Sequence, residues 1–231
     1  APGSVALTGQ AATLTRAFKL SADAGSVSVT GQAAGLKAAR KLLAAAGSVA
    51  ITGHTAGVSK AFRLTADAGT VTLTGQAATF TAARKLAAAA GSVTTMGTDV
   101  TFSQGYRLGA DGDQVAITGQ DATLEASRRL SAGTGSVALA GQAATLRRAL
   151  TLSAGGGSFT ITGAAAGLEH HRKIGANTGG VSITGQSAGL LASRSLVASV
   201  GSFALTGVAA ELSLARALSA GAGGIVLTGI A

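Results

Sequence analysis

Apolar and small polar residues alternate in Ser4-Val5-Ala6-Leu7-Thr8-Gly9, so Val5 and Leu7 fall on one side of an extended chain and Ser4, Ala6 and Thr8 on the other. The same run returns every 22 residues. Gly9 recurs as Gly31, Gly53, Gly75, Gly97, Gly119, Gly141, Gly163, Gly185, Gly207 and Gly229. Ala22 recurs as Ala44, Ala66, Ala88, Ala110, Ala132, Ala154, Ala176, Ala198 and Ala220. The positions of Val5, Leu7, Leu14 and Leu20 stay apolar almost throughout, with Thr95 the exception at the Leu7 position. Residue type drifts but spacing does not: no unit carries an insertion or deletion. Equivalent positions that tolerate no change of spacing are expected to stack on one another.

The second half of the unit is less plain. Ala33–Ala46 has good helix propensity taken alone. However, the recurrent apolar positions 12, 14, 17, 20 and 22 of the unit do not share one helical face. Position 13 is Thr or Gly in every unit but that of Glu211, and both are poor helix formers. The pattern therefore predicts an all-β chain, and two architectures fit it. In a β-solenoid each 22-residue unit is one coil, with turns near Gly9-Gln10 and Asp23–Gly25 and a third bend near positions 15–17. In the alternative, each unit is a hairpin closed by a type II′ turn at Gly9-Gln10, pairing Leu7 with Ala12 and Val5 with Leu14 in a staggered, fibre-like β-spiral. The fixed spacing favours the solenoid, read as a single repeat domain over residues 1–231 of about 10.5 units. Gly3 opens the first unit directly and Ala231 lies one strand into an eleventh, which fits either a piece of a longer array or end-to-end assembly.

Composition narrows the interior. Aromatics are 3% of the chain and charged residues 12%, so the core is built from Ala, Val, Leu and Ile and is thin. There are no cysteines, which excludes disulfides and thiolate metal sites. No apolar run approaches the ~20 residues of a membrane helix, so membrane insertion is not expected.

The net charge of +9 is confined to one part of the unit. All 18 Lys and Arg residues fall at positions 15–19, forming one basic ridge along a solenoid. The candidate ridge comprises Arg16, Lys19, Arg40, Lys41, Arg63, Arg84, Lys85, Arg107, Arg128, Arg129, Arg172 and Lys173. Position 18 alternates Phe18, Arg40, Phe62, Arg84, Tyr106, Arg128, an arrangement that would replace repulsion between stacked cations with cation–π contact. Two readings of the ridge stand: a solvated face keeping an apolar rod soluble, and a strip binding a polyanion such as surface polysaccharide or lipopolysaccharide. Nucleic acid is not expected, because the aromatics are too sparse for a stacking platform. The opposite outward positions 4, 6 and 8 are rich in Ser and Thr, which resembles the flat face of ice-binding β-solenoids, although Ala interrupts position 6.

No active site is expected. The nine acids are scattered. Asp111-Gly112-Asp113 lacks the remaining ligands of a calcium loop. His170 and His171 are adjacent, so on a strand they face opposite ways, and His54 is remote; no metal or cofactor is expected.

The motif Gly-Ser-Val-Ala-Leu-Thr-Gly-Gln-Ala-Ala-Thr-Leu at Gly3–Leu14, echoed at Gly135–Leu146, resembles a 22-residue repeat of uncharacterised bacteriophage and prophage proteins, often near tail genes. The resemblance spans essentially the whole chain. It departs at position 5, commonly aromatic in those repeats and here mostly Val, with Phe159 and Phe203 the exceptions. It implies a non-catalytic structural role in a virion, tail fibre or cell-surface filament, with self-association end to end or as a homo-oligomer.

Overall fold

The computed structural model describes residues 4–60, 63–81, 85–103, 107–125, 129–149, 151–213 and 216–229. They form a β-solenoid. Each coil has three strands, as in Ser26–Thr30, Ala33–Lys37 and Ala39–Ala44. The first strands of successive coils build an 11-stranded sheet. The second and third strands build an 18-stranded sheet, joined where Ala165–Ala176 and Ser187–Ala198 run through the bend as single 12-residue strands. At ~4.8 Å per strand, 11 strands give a rod about 50 Å long.

Every pairing is parallel and displaced by one unit: Val27 lies beside Val49, Leu36 beside Val58, Ala44 beside Ala66. This register overturns the hairpin alternative. A hairpin is antiparallel and would pair Val5 with Leu14, whereas Val5 pairs with Val27 and Leu7 with Val29. The turn chemistry fails as well. A type II′ turn needs positive φ at its Gly, and no described Gly has one. The turns instead join the ladder: Gly31 N–H donates to the Thr52 carbonyl (3.1 Å) and Thr55 N–H to the Gln32 carbonyl (2.9 Å). Turn backbone is thus paired coil to coil like strand backbone, leaving few polar groups to satisfy otherwise.

Why glycine recurs at the first turn follows from this stacking. A Cβ placed at Gly141 would collide with the Gly119 carbonyl oxygen of the preceding coil and would lie 2.8 Å from the Gln120 oxygen. The constraint is close approach of backbone to backbone, not an unusual φ. A second column, Gly47, Gly69 and Gly91, meets the same obstacle at the turn near Asp23–Gly25; Asp113 interrupts it before it resumes at Gly135, Gly157, Gly179 and Gly201.

The interior is the inward half of each strand, as the alternation requires. Val27, Val29, Ala34, Leu36 and Ala44 are all buried in one coil, and their equivalents follow to Phe203 and Leu205. Ala at positions 12 and 22 keeps the column narrow. Phe80 and Phe102 occupy the same position in adjacent coils and stack at 4.5 Å between ring centroids. Thr95 breaks the rule. It sits between Leu73 and Ile117, 1% exposed, and its hydroxyl has no hydrogen-bond partner among the described residues. An unpaired buried hydroxyl costs ~1–3 kcal/mol. Thr95→Val, which keeps the branched shape, is expected to raise unfolding free energy by about 1–2 kcal/mol in chemical denaturation. Unchanged stability would show that the hydroxyl is satisfied.

Candidate binding ridge

The third bend sets the ridge. Ala38, Lys60, Arg148 and His170 all occupy unit position 16 and share left-handed backbone, with φ between 54° and 56°. Their N–H groups still reach the neighbouring coil, Lys60 to the Thr81 carbonyl and Arg148 to the Glu169 carbonyl, both at 2.9 Å. The reversal turns residue 17 inward, where Ala39 and Ala149 are buried. It leaves positions 15, 16, 18 and 19 outside, on one corner of the rod.

That corner carries the cations. Among the ridge residues, Arg16, Lys19, Arg40, Arg63, Arg107, Arg129, Arg172 and Lys173 are exposed, and Lys41 and Lys85 are half-buried. Arg84 and Arg128 lie outside the described residues, as do Phe62 and Tyr106, and nothing is described of the Phe18 side chain. The aromatic–cation alternation at position 18 therefore falls beyond what the structure describes.

Position 19 holds a feature that reading the units one at a time missed. Lys19 pairs in register with Lys41, Lys41 with Arg63, Arg63 with Lys85, Lys85 with Arg107, and Arg107 with Arg129. Six cations occupy six consecutive coils, interrupted by Thr151 and resumed once at Lys173. Five coil steps of ~4.8 Å make this ladder about 24 Å long. The signal was present in the sequence as residues 19, 41, 63, 85, 107 and 129, each 22 apart.

The acids are placed elsewhere, with one exception. Glu125, Arg147 and Glu169 stack at position 15, and Arg147 reaches Glu125 at 3.9 Å and Glu169 at 3.4 Å. The other seven acids lie off this corner: Asp23, Asp67, Asp111 and Asp113 at the turn before the first strand, Asp99 and Asp121 at the start of the second, and Glu211 further along it.

One buried titratable group sits behind the ridge. His171 takes the position occupied by Ala in most coils and is 2% exposed, while His170 is exposed, so the two imidazoles do face opposite ways. Ala149 N–H donates to His171 Nδ1 at 3.3 Å, and Nε2 has no partner among the described residues. Burial lowers the His171 pKa to about 4, partly offset by the backbone of Leu146.

The Ser/Thr positions lie on the outer face of the 11-stranded sheet. Thr8, Thr30, Thr52 and Thr74 stand in register, and the file breaks at Met96 and Ala140 before resuming from Thr162 to Thr228. Among the described residues no three of His, Asp and Glu are grouped closely enough to hold a metal ion, Asp111 and Asp113 included. No described helix is long and apolar enough to cross a membrane. No protein-family model, curated protein or solved structure matches the chain.

Proposed function

We propose that this chain is a non-catalytic structural rod, a shaft segment of a filament of the kind found in bacteriophage tail fibres and cell-surface appendages. The observation that carries the reading is continuity of register. Each coil stacks on the next without an insertion, so load along the axis passes through uninterrupted backbone ladders and a filled side-chain column. The resemblance of the 22-residue unit to repeats of prophage tail regions points the same way and supports a location in a virion or at a cell surface. A solenoid coil buries its faces only against its neighbours, so the architecture extends by adding coils or joining copies.

Electron microscopy of the purified protein at neutral pH, with sedimentation over a range of concentrations, tests this. Fibres or multi-chain stalks well beyond ~50 Å, growing with concentration, are the expected result. Single rods of about that length at every concentration would overturn the filament reading.

A further inference from the structure

We propose that the position-19 ladder, from Lys19 to Arg129, is a docking track for a linear acidic polysaccharide lying along the rod, beyond any role of the chain as a shaft. The first ground is that the ladder opposes stability. Like charges placed directly opposite on neighbouring strands are destabilising, and neighbours at the ~4.8 Å coil rise stand well within the screening length of physiological salt. A face kept charged for solubility alone is served by mixed signs. The chain has that solution available on the same corner, where Glu125, Arg147 and Glu169 alternate in register at position 15. At position 19 it places six cations in succession and no acid.

The second ground is shape. The cations run in single file on a rod corner, which matches a chain-like anion better than a plane of headgroups. Extended glycans advance by about the length of one sugar ring per residue, close to the coil rise. A uronate chain therefore offers carboxylates at intervals the ladder can meet repeatedly along its ~24 Å. The third ground separates glycans from nucleic acid. Binding of single strands uses aromatic faces on which bases stack. The aromatics whose side chains are described, Phe80, Phe102, Phe159 and Phe203, are buried in the core, and by sequence Phe18, Phe62 and Tyr106 fall at position 18 only in every second coil, too sparsely for a stacking platform. The flanking cations Arg16, Lys37, Lys60, Arg172 and Lys173 are exposed and widen the track.

The test uses the full chain with polygalacturonate as probe, neutral dextran as control, and polyadenylate and phosphatidylglycerol vesicles as rival polyanions. Binding is measured against salt concentration. A triple variant on the ladder (Arg63→Gln, Lys85→Gln, Arg107→Gln) is compared with a triple of equal charge off it (Arg148→Gln, Arg194→Gln, Arg216→Gln). Expected is salt-sensitive binding of polygalacturonate, tighter per charge than binding of polyadenylate or vesicles. The ladder triple should lose more than about tenfold in affinity and about two to three in salt slope, and the scattered triple less than about threefold. Thermal unfolding at low salt checks folding independently: relieving the stacked repulsion should leave the ladder triple at least as stable as the parent. No binding, equal losses in the two triples, or tighter binding of polyadenylate or vesicles would each overturn the proposal.

Discussion

Replacing Gly141 by alanine is expected to destabilise the rod by about 3 kcal/mol, whereas the same change at Gly189 should cost little. Gly141 lies at the first turn of its coil and Gly189 within the strand Ser187–Ala198, and neither has positive φ, so the comparison turns on what an added Cβ meets. A Cβ at Gly141 falls onto the Gly119 carbonyl oxygen of the coil before it and also crowds the Gln120 oxygen at 2.8 Å. Neither obstacle is a flexible side chain; both are turn backbone already fixed by ladder hydrogen bonds, Gly119 N–H donating to the Ala140 carbonyl at 3.0 Å and the Gln120 carbonyl accepting from Ala143 N–H at 2.9 Å. The collision is relieved only by spreading two coils, and spreading breaks the bonds that hold them. At Gly189 a Cβ meets nothing within 4 Å. Because each coil contacts only its neighbours, a defect at Gly141 also weakens coupling between the two halves of the rod. Urea unfolding of Gly141→Ala should show the loss together with a broadened transition. Equal stability of the two variants would show that coil spacing is adjustable and that the glycine column is not what fixes it.

The column also explains what was legible in the sequence. An invariant Gly at every twenty-second residue, with Val5 and Leu7 equivalents alternating beside it, was enough to predict stacked coils and to place the turns at Gly9-Gln10 and Asp23–Gly25. The inward positions 12, 14, 20 and 22 were legible for the same reason, since burial follows the period of the strand, whereas position 17 is turned inward by the bend before it. What remained ambiguous was the pairing direction. Within one unit, a hairpin and a coil present the same alternation, and only contacts between residues 22 apart distinguish them. The ridge was legible as a cluster, and its ladder was present as cations 22 residues apart at position 19; what the structure adds is that these residues stand side by side in register. Thr95 was visible as an exception to the apolar pattern; that its hydroxyl is stranded depends on packing between Leu73 and Ile117.

His171 shows the same limit and gives the rod a defined response to acid. The alternation put His170 and His171 on opposite sides, but not which of them would be enclosed. The left-handed residue at position 16 decides it: His170 takes the bend and His171 follows it inward. There the imidazole is 2% exposed, Nδ1 accepts from Ala149 N–H, and no carboxylate is among its hydrogen-bond partners to stabilise a positive ring. The neighbouring His170 imidazole also disfavours a positive charge on the ring. Burial therefore holds the folded-state pKa near 4, below the ordinary value of 6.5. The sign follows from which state binds the proton. Between those two values the unfolded chain is protonated at this residue and the folded rod is not, so unfolding takes up a proton and stability falls as pH falls. The contribution is complete above pH 6.5 and lost by about pH 4. At roughly 1.4 kcal/mol per pH unit, the loss over that window is about 3 kcal/mol. His171→Ala, which restores the residue most coils carry, should flatten this part of the pH–stability profile relative to the parent. The measurement is the difference in unfolding free energy between parent and variant at pH 7 and at pH 4.5. If the two profiles run parallel, the imidazole is not enclosed as described, and the acid response belongs to other groups.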